Sequence, residues 1–261
     1  MTTPGVAVVT SLSTTPVKGL RIQRRDAVEL DRVGACCNRR FYLVDERGKM
    51  VNGKIIGPLA AVVSEYDPHS DSLTMAFPDG DVVTATVSLG PSIETRFFSQ
   101  SPMAQLVIGP WSEAVSAHAG RALRLVRADP RRSAIDRGPQ GGVSLISRAS
   151  LRRLEGLADQ SVDARRFRML VEVEGPSAHE EDGWVGRRVR IGPTLVAMHG
   201  HVGRCLVTSR DPDSGEVDLP TLDLLRTYRG DLPTTEPLAF GIFGEVLEPG
   251  PVRVGDEVSL A

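Results

Sequence analysis

The 261-residue sequence has few lysines and no long hydrophobic run. Lysine occurs only at Lys18, Lys49 and Lys54, so that 28 of the 31 basic residues are arginine. No apolar run approaches the roughly 20 residues that span a bilayer, and residues 1–11 lack the basic and apolar regions of a secretory signal. The formal net charge of −2 argues against the positive field that gathers nucleic acid or anionic membrane. We therefore expect a soluble, cytoplasmic protein with neither nucleic acid nor membrane as partner.

The sequence also lacks the common enzyme motifs and has only three cysteines. It has no G-x-S-x-G elbow, no phosphate-binding G-x-x-x-x-G-K-[ST] loop and no H-E-x-x-H. Three cysteines exclude a disulfide scaffold and a four-thiolate iron–sulfur cluster. Cys36 and Cys37 are adjacent, a spacing that only a strained disulfide could bridge, and we interpret them as packing residues.

Short apolar or alternating runs separated by turn residues occupy both ends of the chain. Strands are predicted at 6–10, 27–30, 40–44, 60–64, 72–76, 82–87, 143–147, 169–174, 187–191, 202–208, 241–247 and 257–260. Helices are predicted at 111–118, 148–157, where Ser147 is the candidate N-cap, and 221–229, and a linker at 129–142. The pattern predicts a mainly β protein with some helices (α+β), built from two β-rich lobes.

Cys205 is the strongest single candidate for chemistry. The positive charge of Arg204 beside it favours the thiolate, which can ligate a redox metal or attack an electrophile. The alternative is a buried cysteine that packs as a small hydrophobe. His199 and His201 would share one face of a strand and could complete a zinc site with Cys205. Two hydrogen-bonded imidazoles are the alternative there.

Cationic side chains form the second group of candidates. Arg166 and Arg168 alternate with Phe167 in a predicted strand entrance, which would place both guanidinium groups on one face. Such a face could bind a phosphate or a pterin, and ion pairs with acidic residues of the following strand are the alternative. Lys18 is a lone cation in a turn, where Gly19 would let a ligand approach the backbone.

An ordered series of segments resembles the MOSC domain, named for the C-terminal lobe of molybdenum cofactor sulfurases. The series consists of Arg165-Arg-Phe-Arg168, Glu181-Asp-Gly-Trp184, 186–192, Arg204-Cys205, 208–215, Phe240-Gly-Ile-Phe-Gly244 and 249–256. Upstream, 15–19 and 38–44 resemble the N-terminal β-barrel lobe that accompanies this domain. The resemblance implies an N-terminal β-barrel-like domain at 1–120 and a MOSC β-barrel domain at 121–261.

The sequence is similar in kind to the mitochondrial amidoxime-reducing component family, which reduces N-hydroxylated compounds at a molybdenum cofactor (Mo-molybdopterin). The resemblance implies that Cys205 is the catalytic residue and the molybdenum ligand. It also implies a set of cofactor-binding residues, namely Lys18, Arg40, Ser147, Arg166, Arg168 and Arg204. The sequence departs from the family at Leu170, where an asparagine is common, and at Gly19, where a serine is common.

These implications define one expected function and two alternatives. The expected function is two-electron reduction of the N–O bond of a small N-hydroxylated substrate. Because the sequence has no dinucleotide fingerprint and no iron–sulfur cysteines, the electrons are expected from a separate donor such as a ferredoxin or a flavoprotein reductase. The alternatives are a non-catalytic carrier of cofactor or sulfur on Cys205, and a zinc-dependent hydrolase that uses His199, His201 and Cys205.

Overall fold

Short strands dominate the computed structural model, which describes residues 7–129 and 136–261. The strands are β1 (Ala7–Thr14), β2 (Val17–Lys18), β3 (Gln23–Arg25), β4 (Ala27–Asp31), β5 (Gly34–Ala35), β6 (Phe41–Val44), β7 (Met50–Val51), β8 (Val63–Asp67), β9 (Ser72–Ala76), β10 (Val82–Thr86), β11 (Ser88–Glu94), β12 (Met103–Ile108), β13 (Arg124–Ala128), β14 (Val143–Ser147), β15 (Val171–Glu174), β16 (Arg188–Ile191), β17 (Thr194–His201), β18 (Ile242–Glu248), β19 (Gly250–Arg253) and β20 (Glu257–Leu260). The α-helices are α1 (Trp111–Ala119), α2 (Arg148–Ala158) and α3 (Thr221–Arg229), and 3-10 helices lie at Gly57–Ala61, Gly138–Gly141, Ala164–Phe167, Glu180–Trp184 and Leu206–Ser209.

Seven of these strands close into a barrel. Their order is β15-β14-β18-β17-β16-β20-β1, and β1 also pairs with β15, which completes the ring. Only β14 and β15 run parallel within it. Buried apolar side chains from all seven strands form one cluster. The first described strand of the chain is therefore part of the barrel that the second half of the chain builds.

A β-bulge lets β1 pack against the barrel core along its whole length. Ala7 and Val9 are buried in the first half of β1, whereas Leu12 and Thr14 are buried in the second half. The pairing register with β15 shifts between Val9 and Ser11. One extra residue changes which face of a strand each following side chain occupies. The shift therefore matches the apolar pattern of β1 to a single core.

The N-terminal lobe has a core of its own. Its main sheet runs β11-β12-β13-β6-β2 with β7 paired to β6, and β10-β9-β8 form a smaller antiparallel sheet. Trp111, the first residue of α1, is fully buried, and its indole N–H donates to the carbonyl oxygen of Leu73 at 3.0 Å. Apolar residues of both sheets and of α1 make up this second core. The predicted fold class, mainly β with some helices in two β-rich lobes, is confirmed.

The three helices predicted from the sequence are also confirmed. α2 begins where expected, and the Ser147 hydroxyl oxygen accepts the backbone N–H of Ser150, as an N-cap does. Within the described ranges, no helix is long and apolar enough to cross a membrane. The predicted linker at 129–142 falls partly on residues 130–135, outside the described residues, and ends in the 3-10 helix at Gly138–Gly141.

Two strand predictions are wrong, and both concern segments that carry candidate residues. β17 ends at His201, and residues 206–209 form a 3-10 helix because both the N–H and the hydroxyl of Thr208 donate to the Cys205 carbonyl oxygen, each at 3.0 Å. Likewise Asp163 accepts the N–H of Arg165 at 2.8 Å and starts a 3-10 helix where a strand entrance was expected. Side-chain hydrogen bonds of this kind compete with strand pairing.

The barrel closure by β1 can be tested by truncating a buried side chain on it. Leu12 is fully buried, so Leu12→Ala should lower the free energy of unfolding by about 2–5 kcal/mol. Val8 lies on the same strand and is 37% exposed, so Val8→Ala should cost only about 0.5 kcal/mol. Urea denaturation followed by circular dichroism measures both values. Equal effects of the two substitutions would contradict the described packing of β1.

Candidate functional site

A cavity of about 320 Å³ is lined by segments from both halves of the chain. One wall includes Lys18, Gly19, Arg39 and residues 52–54, and the other includes residues 165–169 and 202–205. The pairing of β1 with β15 brings these walls together. Leu12 lies opposite Val171, and the N–H of Ser13 donates to the Leu170 carbonyl oxygen at 2.9 Å. Residues that follow β1 therefore lie beside residues that precede β15.

Cys205 lies in this cavity and is exposed. It is the residue directly before the 3-10 helix Leu206–Ser209, so the end of β17 and the Thr208 turn fix its position. The interpretation of Cys205 as a buried packing cysteine is therefore wrong. An accessible thiol in a cavity can act as a metal ligand or as a nucleophile.

Arg204 anchors the segment that carries Cys205. Its guanidinium group donates to the carbonyl oxygens of Phe240 and Phe167, the latter at 2.9 Å, and lies 5.2 Å from the Phe167 ring centroid. Burial and the charge of Arg137 lower the pKa of Arg204 to about 9, so the group remains charged at neutral pH. Carbonyl oxygens orient this cation and leave its charge unbalanced.

Lys18, Arg39 and Arg168 also line the cavity, and we call these three side chains the cationic cradle. Arg39 Nη2 donates to the carbonyl oxygen of Arg168 at 3.0 Å, and Arg168 Nη2 donates to that of Leu20 at 2.7 Å. Burial lowers the pKa of each of the three, to about 8 for Lys18 and to about 9 for Arg168. The charge of Arg39 lowers the pKa of the other two further.

Two neighbouring arginines in the cavity are instead neutralised by carboxylates. Arg166 donates to both oxygens of Asp218, each at 2.6 Å. Arg165 forms ion pairs with Asp163 and Asp213, both at 2.7 Å. The predicted cofactor-binding residue Arg166 thus lines the cavity with its terminal nitrogens already paired.

Two of the predicted cofactor-binding residues, Arg40 and Ser147, are not among the residues that line this cavity. Arg40 lines a separate crevice beside Cys37. Its neighbour Arg39 has a left-handed backbone (φ 52°) and lines the cavity in which Arg40 was expected. Ser147 is fully buried, and its hydroxyl donates to Glu181 at 2.9 Å. In this structure Arg39 rather than Arg40 lines the cavity, and Ser147 caps α2, whereas the roles of Arg40 and Ser147 in binding a cofactor stay predictions.

Leu170, where the sequence departs from the family, is not among the residues that line the cavity. Leu170 is buried in the barrel cluster, and its N–H donates to the Ser144 hydroxyl oxygen at 3.0 Å. At Gly19 the backbone is left-handed (φ 96°), and a Cβ would lie 3.1 Å from Asn52 Cα. A glycine at this position therefore relieves strain next to Lys18.

The alternative zinc site of His199, His201 and Cys205 is not assembled. In the described part of the chain, no group of three His, Cys, Asp or Glu side chains is arranged to hold a metal ion. His201 is buried, and its Nδ1 accepts the N–H of Thr235 at 3.2 Å. His199 lies 3.3 Å from Glu245 and outside the cavity lining. The interpretation as two hydrogen-bonded imidazoles is confirmed.

The charge of the cavity lining shows what kind of ligand it fits. Among the described lining residues, nine are lysine or arginine and three are aspartate or glutamate. The Nε atoms of Arg39, Arg166 and Arg210 are buried and have no hydrogen-bond partner there. Buried cationic groups with unsatisfied N–H donors favour an anionic ligand. One accessible thiol among such cations suits a group that combines a soft metal with a phosphate.

Sequence reasoning missed several lining residues, notably Arg39, Asp136, Arg137 and Glu236. Asp136 and Arg137 lie in the segment interpreted as a linker, and Glu236 lies in the loop before β18. The only feature of the sequence that could have pointed to these residues was the charge within those loops. Local sequence patterns do not show that a loop side chain lies in a cavity formed by distant segments. Glu236 accepts hydrogen bonds from Arg137 and from the N–H of Gly203, the latter at 3.0 Å.

The lowered pKa of Lys18 predicts a pH dependence of stability. Between about pH 8 and 10.5 the folded protein has lost the Lys18 proton and the unfolded chain retains it. The cost of the buried charge is therefore fully present below that window and disappears as the pH rises through it. Relative to Lys18→Met, the unfolding free energy of the wild type should rise across the window in urea titrations. Lys49→Met, at an exposed lysine, keeps Lys18 and is the control, so its unfolding free energy should rise across the window as that of the wild type does.

Comparison with known proteins gives matches over both halves of the chain. The model of the MOSC domain matches residues 132–259, and that of the MOSC N-terminal beta barrel domain matches residues 6–105. Mitochondrial amidoxime reducing component 2 of Bos taurus is 28% identical over 284 aligned positions, which cover 97% of this chain and 83% of that protein. Mitochondrial amidoxime-reducing component 1 of Mus musculus is 34% identical over 122 positions, 44% of this chain and 35% of that protein. The match to the mouse protein thus spans about a third of its length.

Among solved structures, the YUAD protein from Bacillus subtilis aligns with a TM-score of 0.43 and 14% identity over 97% of this chain and 94% of that one. The two domain matches follow one another in the order that the sequence series indicated. The chain therefore belongs to the MOSC-domain proteins, with a MOSC N-terminal β-barrel domain followed by a MOSC domain.

Proposed function

We propose that this protein is an oxidoreductase that binds a molybdenum cofactor in the cavity and reduces N-hydroxylated compounds to amines or amidines. The observation that carries the proposal is the position of the exposed Cys205 thiol in the same cavity as the cationic cradle. The names of the similar proteins support the amidoxime class of substrate.

The residues present fit such a cofactor. The thiolate of Cys205 would ligate the molybdenum, and the cradle of Lys18, Arg39 and Arg168 would hold the phosphate of the pterin. Charge-assisted hydrogen bonds from lysine and arginine to phosphate are about twice as strong as neutral ones. When bound, the cofactor supplies the two-electron redox chemistry that cleaves an N–O bond.

The chain's own residues position the reacting groups. Arg204, held by the carbonyl oxygens of Phe167 and Phe240, keeps Cys205 at the cavity wall. Phe98, 53% exposed, and Phe243 are aromatic lining residues against which a planar amidine can pack. Reduction of an N-hydroxy group consumes two electrons and two protons and releases water, so the cavity must remain accessible to water and to an electron donor.

A non-catalytic carrier is the second candidate. The exposure of Cys205 favours it as well, because a carrier must present its thiol to a partner protein. The reductase and the carrier differ in whether the protein turns over an N-hydroxylated substrate. A carrier would bind cofactor or sulfur through Cys205 and would not reduce a substrate.

Replacement of the thiol tests the central assignment. Cys205→Ser should leave the fold intact, lower the molybdenum content of the purified protein to below about a tenth, and abolish N-reduction, because a hydroxyl is a poor ligand for a soft metal site. Metal analysis, pterin fluorescence and circular dichroism measure these effects. Cys36→Ser, on a cysteine outside the cavity, is the control and should match the wild type. Full activity of Cys205→Ser would remove the proposal.

The electron supply gives a further prediction. The protein loaded with molybdenum should not reduce benzamidoxime with NADH or NADPH alone, because the sequence has no dinucleotide-binding fingerprint. Dithionite-reduced methyl viologen should support turnover, and in the cell a ferredoxin or a flavoprotein reductase would take its place. Turnover with nicotinamide alone would contradict the need for a separate donor. Absence of turnover with viologen at full molybdenum occupancy would favour the carrier.

A further inference from the structure

Asp136 and Arg137 are adjacent residues that contact different walls of the cavity. Asp136 accepts a hydrogen bond from Lys18 Nζ on the wall that follows β1. Arg137 donates to Glu236 Oε1 at 3.1 and 2.6 Å, and its guanidinium lies 4.5 Å from the Phe243 ring centroid on the other wall. We call this dipeptide the strap, because it connects the two walls across the cationic cradle.

The strap provides the carboxylate that faces the cradle. Lys18, Arg39 and Arg137 lower the pKa of Asp136 although burial opposes the shift, so Asp136 is ionised. Asp136 also acts on Arg168, where its negative charge opposes the effects of burial and of Arg39. Within the described residues, three cradle cations thus meet one carboxylate of the strap, and an excess of positive charge remains.

The Lys18 ammonium group is enclosed by two aromatic rings and by Asp136. It is 8% exposed, and its Nζ lies 5.3 Å and 5.9 Å from the ring centroids of Phe97 and Phe98. Asp136 accepts a hydrogen bond from this ammonium group, so a further anion at Lys18 competes with it. The Asp136 side chain itself is 39% exposed, against 9% for that of Lys18. The carboxylate can therefore return to water at a smaller desolvation cost than the lysine can.

We propose that Asp136 is an internal counter-ion of the cradle, which a phosphate group of the ligand displaces from Lys18, and that it thereby sets the affinity of the cavity for phosphate. The Arg137–Glu236 pair keeps the strap attached while Asp136 moves. That the phosphate belongs to the pterin of the cofactor rests on the proposed function. The competition between Asp136 and phosphate involves only residues of this chain and can be measured without the cofactor.

The test measures phosphate binding to protein prepared without cofactor, by titration calorimetry with inorganic phosphate. Asp136→Asn should bind phosphate about tenfold more tightly than the wild type, equivalent to about 1.4 kcal/mol, because the competing charge is gone. Without phosphate the same variant should have a lower melting temperature, because the cradle cations then repel one another without a carboxylate. The two effects have opposite signs, which loss of structure alone does not produce.

Two further variants make the result specific. Asp211 also lines the cavity, and its Oδ1 accepts the N–H groups of Asp213 and Ser214, which the amide oxygen of an asparagine can also accept. Asp211→Asn therefore makes the same charge change away from the cradle and should bind phosphate within about twofold of the wild type. Adding Arg168→Met to Asp136→Asn should abolish the gain, which locates the bound phosphate in the cradle.

The outcomes separate this inference from the proposed function. Equal gains for Asp136→Asn and Asp211→Asn would show a general charge effect and overturn the inference, and weaker binding by Asp136→Asn would overturn it too. Asp136→Ser is the second variant if the asparagine form does not fold, and the same gain is expected of it. Because no molybdenum is involved, a failure of the reductase assay leaves this titration valid. A failure here leaves the Cys205 experiment unaffected.

Discussion

Unbalanced positive charge in a half-buried cavity is the constraint around which this structure is organised. Arg39, Arg168 and Arg204 are oriented by backbone carbonyl oxygens, which are neutral acceptors. Arg165 and Arg166, in the same cavity, are paired with carboxylates. Carbonyl oxygens fix a guanidinium without cancelling its charge. Arg39, Arg168 and Arg204 therefore remain available to an anion. Arg165 and Arg166 instead stabilise the walls of the cavity through their ion pairs.

The closure of the barrel by β1 determines where this charge collects. β1 pairs with β15 in a register that places Leu12 opposite Val171. Lys18, four residues after the end of β1, and Arg168, three residues before β15, thereby line one cavity. The site depends on the pairing of two strands that lie far apart in the sequence. A loss of that pairing would move Lys18 away from Arg168 without any change in the side chains that line the cavity.

Cys205 and the strap are the two elements that give the cavity its chemical character. The Cys205 thiol offers a soft ligand of the kind that a redox metal prefers, and carbonyl oxygens hold Arg204 beside it. Asp136 provides the cradle with an internal anion. A cavity with four or more buried cations and no carboxylate would destabilise the folded protein, since each cation loses hydration on burial. An internal counter-ion lowers that cost in the absence of a ligand and weakens ligand binding as a consequence.

The sequence by itself determined the class of fold, the three helices and the choice of Cys205 as the candidate for chemistry. Strand-length apolar runs, the cap at Ser147 and the rare Arg204-Cys205 pair are local features, and local features can be read from spacing. The tertiary structure decided which cations meet Cys205. Arg39, which has a left-handed backbone, lines the cavity, and Arg40 does not. Asp136 reaches Lys18 across 118 positions of sequence, and such a contact follows from barrel closure and loop path, which no local pattern encodes.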